Sequence, residues 1–169
     1  MGDGDLIAVS DAGPLIHLAE ANGLPLLDVF ARLHVPETVW SEVARQQIAG
    51  ADLSTIGNIQ RLALSRTEVA KFVGENHLEE LHLGEQECFY LCSQVGVSIL
   101  LTDDLAARDV AKRLGLIPVG SLGIVVRAYR LGRITLEDAE RKLVELYEKS
   151  SLFVTRTIVE LVIEQLHVK

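Results

Sequence analysis

Short apolar runs alternate along the chain with stretches in which apolar residues recur at helical spacing. The runs, bounded by acidic or turn residues, predict strands at 6–10, 33–35, 59–64, 98–102 and 117–119. The helical spacing predicts a helix that begins near Pro14 and ends near Asn22, and further helices at 25–30, 37–47, 67–73, 85–95, 105–114 and 122–131. This alternation over residues 6–131 predicts an α/β fold with three layers, α/β/α, around a mostly parallel central sheet.

Two more helices, at 136–147 and 156–167, follow without a strand between them. We therefore expect a C-terminal helical tail over residues 135–169, attached to the α/β core of residues 6–131. The length of 169 residues suits one domain, residues 1–169, with a core of its own.

The chain carries 16 Lys and Arg against 24 Asp and Glu, a formal net charge of −8. This balance argues against a general nucleic-acid coat protein, because phosphate binding depends on Lys and Arg. A local basic patch is still compatible with it, and the best candidates for one are Lys112, Arg113, Arg127, Arg130 and Arg133. With one Trp, three Tyr and four Phe, few aromatic side chains remain for stacking nucleobases.

The sequence does not indicate a membrane protein or a secreted protein. No apolar run approaches the roughly 18 residues of a membrane-spanning helix, and residues 1–5 lack the basic start of a signal peptide. Cys88 and Cys92 are too few for a disulfide framework, and small buried side chains are the favoured interpretation of both. We expect a cytoplasmic protein without membrane contact.

Three carboxylates follow directly after predicted strands. Asp11 ends the first strand, and Asp103 and Asp104 end the strand at 98–102. Each is explained singly as a helix cap. Ligands of open α/β sheets, however, bind beyond the carboxyl ends of the strands, so the three together indicate a site.

The helix predicted at 85–95 carries a further acid. Glu85 shares the apolar helix face with Cys88, Phe89 and Cys92, at positions i, i+3, i+4 and i+7. Glu87 lies about 200° away around the same helix. We therefore expect Glu85, and not Glu87, to face the core or its rim.

A fourth acid position is Glu42, which lies beside the apolar stripe of Val39 and Val43 on the helix at 37–47. Carboxylates that converge in one cleft repel each other, and their pKa values rise unless a cation joins them. Mg²⁺ suits such a cluster because it takes oxygen ligands and also binds phosphate oxygens.

Other polar residues are assigned more modest roles. Arg108 lies one helical turn after Asp104, where it either contacts a phosphate or forms an exposed ion pair with Asp104; Lys112 lies one turn further on. His17 is interpreted as a packed or rim histidine, and Ser121 as the cap of the helix at 122–131.

Five segments in order resemble the PIN-domain superfamily. They are VSDAGPLIHLA at 9–19, VPETVWSEV at 35–43, LHLGEQE at 81–87, LLTDDLAARDVAKRLGL at 100–116 and VGSLGIVVRAYRLG at 119–132. Within the superfamily they are similar to a PIN-like branch related to VapC toxins. The resemblance covers nearly the whole chain.

The resemblance implies hydrolysis of RNA phosphodiesters with Mg²⁺ or Mn²⁺ held by three or four acids. The first three acids fall on Asp11, Glu42 and Glu85. The fourth falls on Asp104 by the family's Thr-x-Asp pattern, whereas the branch's acidic doublet keeps Asp103 open. A hydroxyl residue common in the family two positions after the first acid is replaced by Gly13.

The predicted function is accordingly that of a metal-dependent endoribonuclease, the toxin component of a toxin–antitoxin pair. Arg108 and Lys112 are the predicted RNA-binding residues. The resemblance also implies a small antitoxin partner and a homodimer. The alternative is a PIN-like module that binds RNA or protein with little or no cleavage, which Gly13 and the net acidity favour.

Overall fold

The computed structural model describes residues 6–168. Within this range the sheet has five strands: β1 (Ile7–Ser10), β2 (Arg32–Pro36), β3 (Ile59–Leu62), β4 (Ile99–Leu101) and β5 (Ile117–Val119). Every pair is parallel, in the order β3-β2-β1-β4-β5. The predicted three-layer α/β/α fold is confirmed, with a sheet that is entirely parallel. The prediction made for residues 1–5 lies outside the described residues.

The helices of the described range follow the predicted pattern with shifts of a few residues at their ends. They are α1 (Ala12–Glu20), α2 (Glu37–Arg45), α3 (Arg66–Asn76), α4 (Leu83–Val95), α5 (Leu105–Arg113), α6 (Ser121–Arg130), α7 (Leu136–Lys149) and α8 (Arg156–Leu166). The segment predicted as a helix at 25–30 is a 3₁₀-helix, Leu24–Val29, and a second short 3₁₀-helix, Leu53–Thr55, lies between α2 and β3.

The buried apolar side chains form one cluster that extends into the C-terminal helices. Leu33 and Leu100 of the sheet are almost fully buried, as strands covered on both faces require. Leu143 and Leu146 of α7 belong to the same cluster and are fully buried. The α7 side chain of Lys142 also donates to the carbonyl of Ala21 at 2.7 Å, so the tail is fastened to the end of α1.

The strand order determines at which point of the sheet a ligand is expected to bind. The chain runs outward from β1 to β2 and β3, and then returns to lay β4 on the other side of β1. Ser10 pairs with Leu101, and the Asp11 N–H donates to the Leu101 carbonyl at 2.9 Å. The carboxyl ends of β1 and β4 therefore lie side by side at the topological switch point.

The expectation that Glu87 faces away from the core was wrong. Glu87 is only 7% exposed, against 8% for Glu85. Helix α4 contacts β1, β2 and β4 and also α2 and α3, so more than one of its faces is covered. Within the described residues one oxygen of the Glu87 carboxylate, Oε2, is buried without a hydrogen-bond partner.

No helix in residues 6–168 has the length and apolar character that crossing a bilayer requires.

Candidate active site

An open cleft of about 330 Å³ lies at the carboxyl ends of β1 and β4. All five predicted acids line it, together with two histidines and part of the α7–α8 connection. Its lining includes Asp11, Glu42, Glu85, Asp103, Asp104, His17, His82 and residues 151–153. The structure thus brings to one cleft the carboxylates of two strand ends and two helices.

Asp11 serves as a helix cap and as a wall of the cleft at once. Its Oδ1 accepts the Ala12 N–H at 2.8 Å at the start of α1. Its Oδ2 faces the hydroxyl of Thr102 at 3.4 Å. Thr102 is fully buried, and its hydroxyl also accepts the Asp104 N–H at 3.3 Å. One threonine therefore ties the two strand-end acids together, which gives a physical reason for the Thr-x-Asp pattern.

The two helix acids approach Asp11 across a glycine. A Cβ at Gly84 of α4 would lie 3.7 Å from Glu42 Oε2 and 3.9 Å from Asp11 Oδ1. The first turn of α4 thus packs close to both carboxylates. Glu85, the next residue, accepts the His82 N–H at 3.1 Å through Oε2.

Burial and the repulsion of neighbouring carboxylates raise the pKa values of Asp11 and Glu85. Burial raises the pKa of Asp11 from 3.8 to about 7, and the charges of Glu85 and Glu42 add to the rise. The Ala12 N–H and the Thr102 hydroxyl oppose it. The pKa of Glu85 is also raised, by burial first and then by Asp104 and Glu42. Perturbed carboxylates in a cleft are typical of functional sites.

Asp103 and Asp104 have different surroundings. Asp103 Oδ2 lies 2.7 Å from His17 Nδ1 and accepts the Ser121 hydroxyl, and Oδ1 accepts the Ser121 N–H at 2.7 Å. Asp104 caps α5 by accepting the Ala107 N–H at 2.8 Å through Oδ1. Within the described residues Asp104 Oδ2 has no hydrogen-bond partner, whereas both oxygens of Asp103 are engaged.

The bonds of Asp103 revise the role expected of Ser121. Ser121 is the first residue of α6 and does not cap it; the cap residue is Gly120, and Asp103 accepts from Ser121 instead. A Cβ at Gly120 would lie 2.7 Å from Asp103 Oδ1, so only glycine allows this approach. The glycine after β5 is the one sequence signal that pointed to such a contact.

We expect Asp103→Ala to lower the free energy of unfolding by about 2 to 4 kcal/mol, because Ser121 and His17 lose charged partners in a largely buried place. Asp104→Ala removes one helix cap and is expected to cost about 1 kcal/mol. Urea denaturation of both variants measures the difference. Equal losses would show that Asp103 has no special structural role.

Basic side chains lie beside the acidic cleft. The Arg108 guanidinium donates to the Thr102 carbonyl at 3.2 Å. Within the described residues it forms no ion pair with Asp104. Arg108 and Arg127 line a neighbouring cavity that shares Asp103 and residues 152–153 with the acidic cleft. Lys112 is exposed on α5 and lines neither cavity.

The cysteines take no part in this chemistry. Both are buried, and the Cys88 thiol lies 3.5 Å from the Ser10 carbonyl. Burial raises the pKa of Cys92 to about 12 and that of Cys88 well above its usual value. Both thiols are therefore neutral at physiological pH.

The chemistry of the donor set fits a small divalent cation, since Mg²⁺ and Mn²⁺ take carboxylate oxygens. As the side chains stand, no three His, Cys, Asp or Glu within residues 6–168 are grouped closely enough to hold a metal ion. Repulsion keeps carboxylates apart when no cation joins them. The residues match the cation in donor type, and side-chain rotation is needed to close around it.

The parallel sheet with an acidic cleft at its switch point places the protein in the class of open α/β domains whose ligands bind at the carboxyl ends of the strands. A family model described as a PIN domain matches residues 7–167, and the chain belongs to this family. The predicted membership of the PIN-domain superfamily is thereby confirmed, and the PIN domain is a nuclease-type fold. No curated protein matches the chain.

Proposed function

We propose that this protein is a divalent-metal-dependent endoribonuclease of the VapC type. The observation that carries the proposal is the gathering of Asp11, Glu42, Glu85 and Asp104 in one cleft, with the pKa of Asp11 raised to about 7. The helix caps that Asp11 and Asp104 provide do not by themselves explain why four acids that repel one another share one cleft. A cation bound between them would relieve this repulsion.

Asp11, Glu42, Glu85 and Asp104 are the residues that would hold Mg²⁺ or Mn²⁺. When bound, the cation supplies Lewis-acid polarisation of a phosphate oxygen and a lowered pKa of an attacking water. The protein holds the carboxylates of the site in position through hydrogen bonds. Ala12 fixes Asp11, Ala107 fixes Asp104, and Thr102 links the two. We assign Asp103 to holding His17 and α6 in place.

Recognition of the RNA backbone is assigned to Arg108 and, further along α5, to Lys112. Arg108 is half-buried and tethered to Thr102, so its charge is held next to the acids. A guanidinium in this position can bind a phosphate through two hydrogen bonds. Because the net charge is −8, binding to bulk RNA is expected to be weak and sensitive to salt.

The test is cleavage of a panel of structured and single-stranded RNAs with Mn²⁺ or Mg²⁺. We expect cleavage with either metal and none in EDTA, because the cation that the four acids would hold is what polarises the phosphate and the attacking water. Cleavage that persists in EDTA would overturn metal dependence. A panel left intact at any metal concentration would favour the second candidate.

That candidate is a PIN-like module that binds RNA or protein without cutting it, and Gly13 favours it. A Cβ at Gly13 would meet His17 Cε1 and Asp103 Cβ at 3.7 Å each, an ordinary contact distance. Gly13→Ser therefore fits and returns the hydroxyl common in the family. In assays of RNA cleavage, a gain on this substitution supports a weakened nuclease, and no gain removes Gly13 as an argument.

We further propose that the protein acts in the cytoplasm as a homodimer whose cleft is inhibited by a small antitoxin. The family resemblance supports the antitoxin. Exposed apolar residues on α8, Ile158 at 46% and Leu161 at 52%, support a second copy at the tail. Light scattering that finds only monomer at micromolar concentration would overturn the dimer.

A further inference from the structure

Phe153 is the most exposed large apolar side chain of the described residues, at 98% exposure. It lies in the connection between α7 and α8, which no motif of the sequence had singled out. Its ring lines the acidic cleft and also the neighbouring cavity that contains Arg108 and Arg127. An aromatic ring therefore stands in solvent at the boundary between the acids and two cations.

The backbone that carries Phe153 is fastened at both sides. Ser151 donates its N–H and its hydroxyl to the Glu20 carboxylate of α1, at 3.0 and 2.7 Å. Leu152 and Val154 pack against the core, whereas Phe153 between them points outward. Because Leu152 and Val154 are held against the core while Phe153 is 98% exposed, anchoring of its two neighbours keeps Phe153 in solvent.

The surroundings of the ring suit a nucleotide chain. Arg108 and Arg127 form no ion pairs within residues 6–168, so their charges are available to phosphates. Leu105, 75% exposed, lines the same cavity and offers an apolar contact to a sugar or base. Aromatic faces beside a basic groove are the usual means of binding single-stranded nucleic acid.

We propose that Phe153 is a stacking platform for one nucleobase of a single-stranded RNA. The base belongs to a nucleotide next to the phosphate held at the acidic cleft, and Arg108 and Arg127 bind the phosphates that follow. This inference rests on the proposed ribonuclease function. Phe153 positions the substrate and does not touch the reacting atoms. The chain has only eight aromatic residues, but Phe153 lies beside the acidic cleft, where a base could stack on it.

The experiment compares Phe153→Ala, Phe153→Leu and Phe153→Trp in cleavage of a single-stranded RNA that the wild type cuts. Loss of one stacked base is expected to raise KM about five- to 100-fold for the Ala and Leu variants and to leave kcat nearly unchanged. Phe153→Trp retains a flat face and is expected to stay within about threefold of the wild type. The high exposure of Phe153 predicts an unchanged melting temperature in all three.

The matched control is Phe153→Leu, which keeps an apolar side chain of similar size and removes only the aromatic face. A KM for Phe153→Leu equal to that of the wild type would overturn stacking. A wild-type dimer that dissociates in Phe153→Ala, detected by light scattering, would assign the ring to a protein contact and overturn the proposal equally.

Substituting an abasic nucleotide at each position near the cut tests the pairing of base and ring. We expect that at one position removal of the base raises the KM of the wild type. At the same position, removal of the base should leave the KM of Phe153→Ala unchanged. Independent effects at every position would contradict a stack.

Binding of a fluorescent single-stranded RNA to the Asp11→Asn variant separates this inference from the function on which it rests. Cleavage by the wild type with no effect of Phe153 on KM or binding overturns the platform and leaves the nuclease intact. Binding that depends on Phe153 in a protein that cuts nothing overturns the nuclease and supports the platform. Absence of RNA binding by the variant together with absence of cleavage by the wild type overturns both.

Discussion

Asp11→Asn is expected to lower metal-dependent RNA cleavage by about a thousandfold or more. The substitution removes the charge at the centre of the four acids, and loss of a single stabilising group at a reacting phosphate or carbonyl already costs about 100- to 1,000-fold. The fold should survive, because an Asn side-chain oxygen still accepts the Ala12 N–H that starts α1. Initial cleavage rates with Mn²⁺, measured on equal amounts of folded protein, give the ratio.

The control for Asp11→Asn is Glu87→Gln. Glu87 is an equally buried acid of α4 that does not line the cleft, so its neutralisation should leave cleavage within about threefold of the wild type. A contaminating nuclease would give the same rate in all preparations. Equal rates in Asp11→Asn and the wild type would reject the site.

The second large effect concerns stability against pH in the metal-free protein. Asp11 has a pKa of 3.8 in the unfolded chain and about 7 in the fold. Between these values the folded state binds more protons, so the free energy of unfolding falls as pH rises from about 4 to about 7. A difference of this size corresponds to a loss on the order of 4 kcal/mol, which remains at all higher pH.

Asn at position 11 cannot ionise. The free energy of unfolding of Asp11→Asn should therefore not fall as pH rises from about 4 to about 7 in the way expected for the wild type. We expect Asp11→Asn to be less affected by pH than the wild type and to be the more stable protein at pH 8. Urea denaturation in EDTA between pH 4 and 8.5 measures both curves, and their difference removes the contributions of all other groups. A difference that does not change with pH would contradict a raised pKa of Asp11.

Much of the fold is visible in the sequence because the central strands are buried on both faces. The runs at 6–10 and 98–102 are apolar except for Ser or Thr at their ends. Acidic or turn residues follow them, so both type and position follow from local pattern. The helix at 25–30 is a 3₁₀-helix instead, since a short amphipathic segment has the same pattern in either form.

The burial of Glu87 could not be predicted from helical spacing. A helix wheel assumes one covered face, and only the tertiary packing of α2 and α3 onto α4 covers a second. The bonds between Asp103, His17 and Ser121 join residues that are 18 and 86 positions apart, and no local pattern encodes them. Phe153 is exposed because Leu152 and Val154 pack against the core on either side of it. This packing exists only in the folded protein, so the sequence alone does not predict the exposure.

The sequence predicted that Asp11, Glu42, Glu85 and Asp104 would lie together, and all four line one cleft. Asp11 and Asp104 follow strands whose ends meet in any sheet with β1 beside β4. Helical spacing singled out Glu42 and Glu85, and the resemblance assigned both to the same site. Whether these acids bind a metal follows from neither pattern nor packing. That question depends on the free energy of a cation among four carboxylates, which must be measured.

Isothermal titration of Mn²⁺ into the wild type at pH 8, beside Asp11→Asn, Glu85→Gln and Glu87→Gln, tests the central claim most directly. The claim predicts saturable binding to the wild type and Glu87→Gln, with affinity lowered by about 100-fold or more in Asp11→Asn and Glu85→Gln. Binding to the wild type should also weaken below pH 7, because Asp11 must lose its proton. Affinity that is equal in all four proteins, or absent from the wild type, would contradict a metal-dependent nuclease centre at these acids.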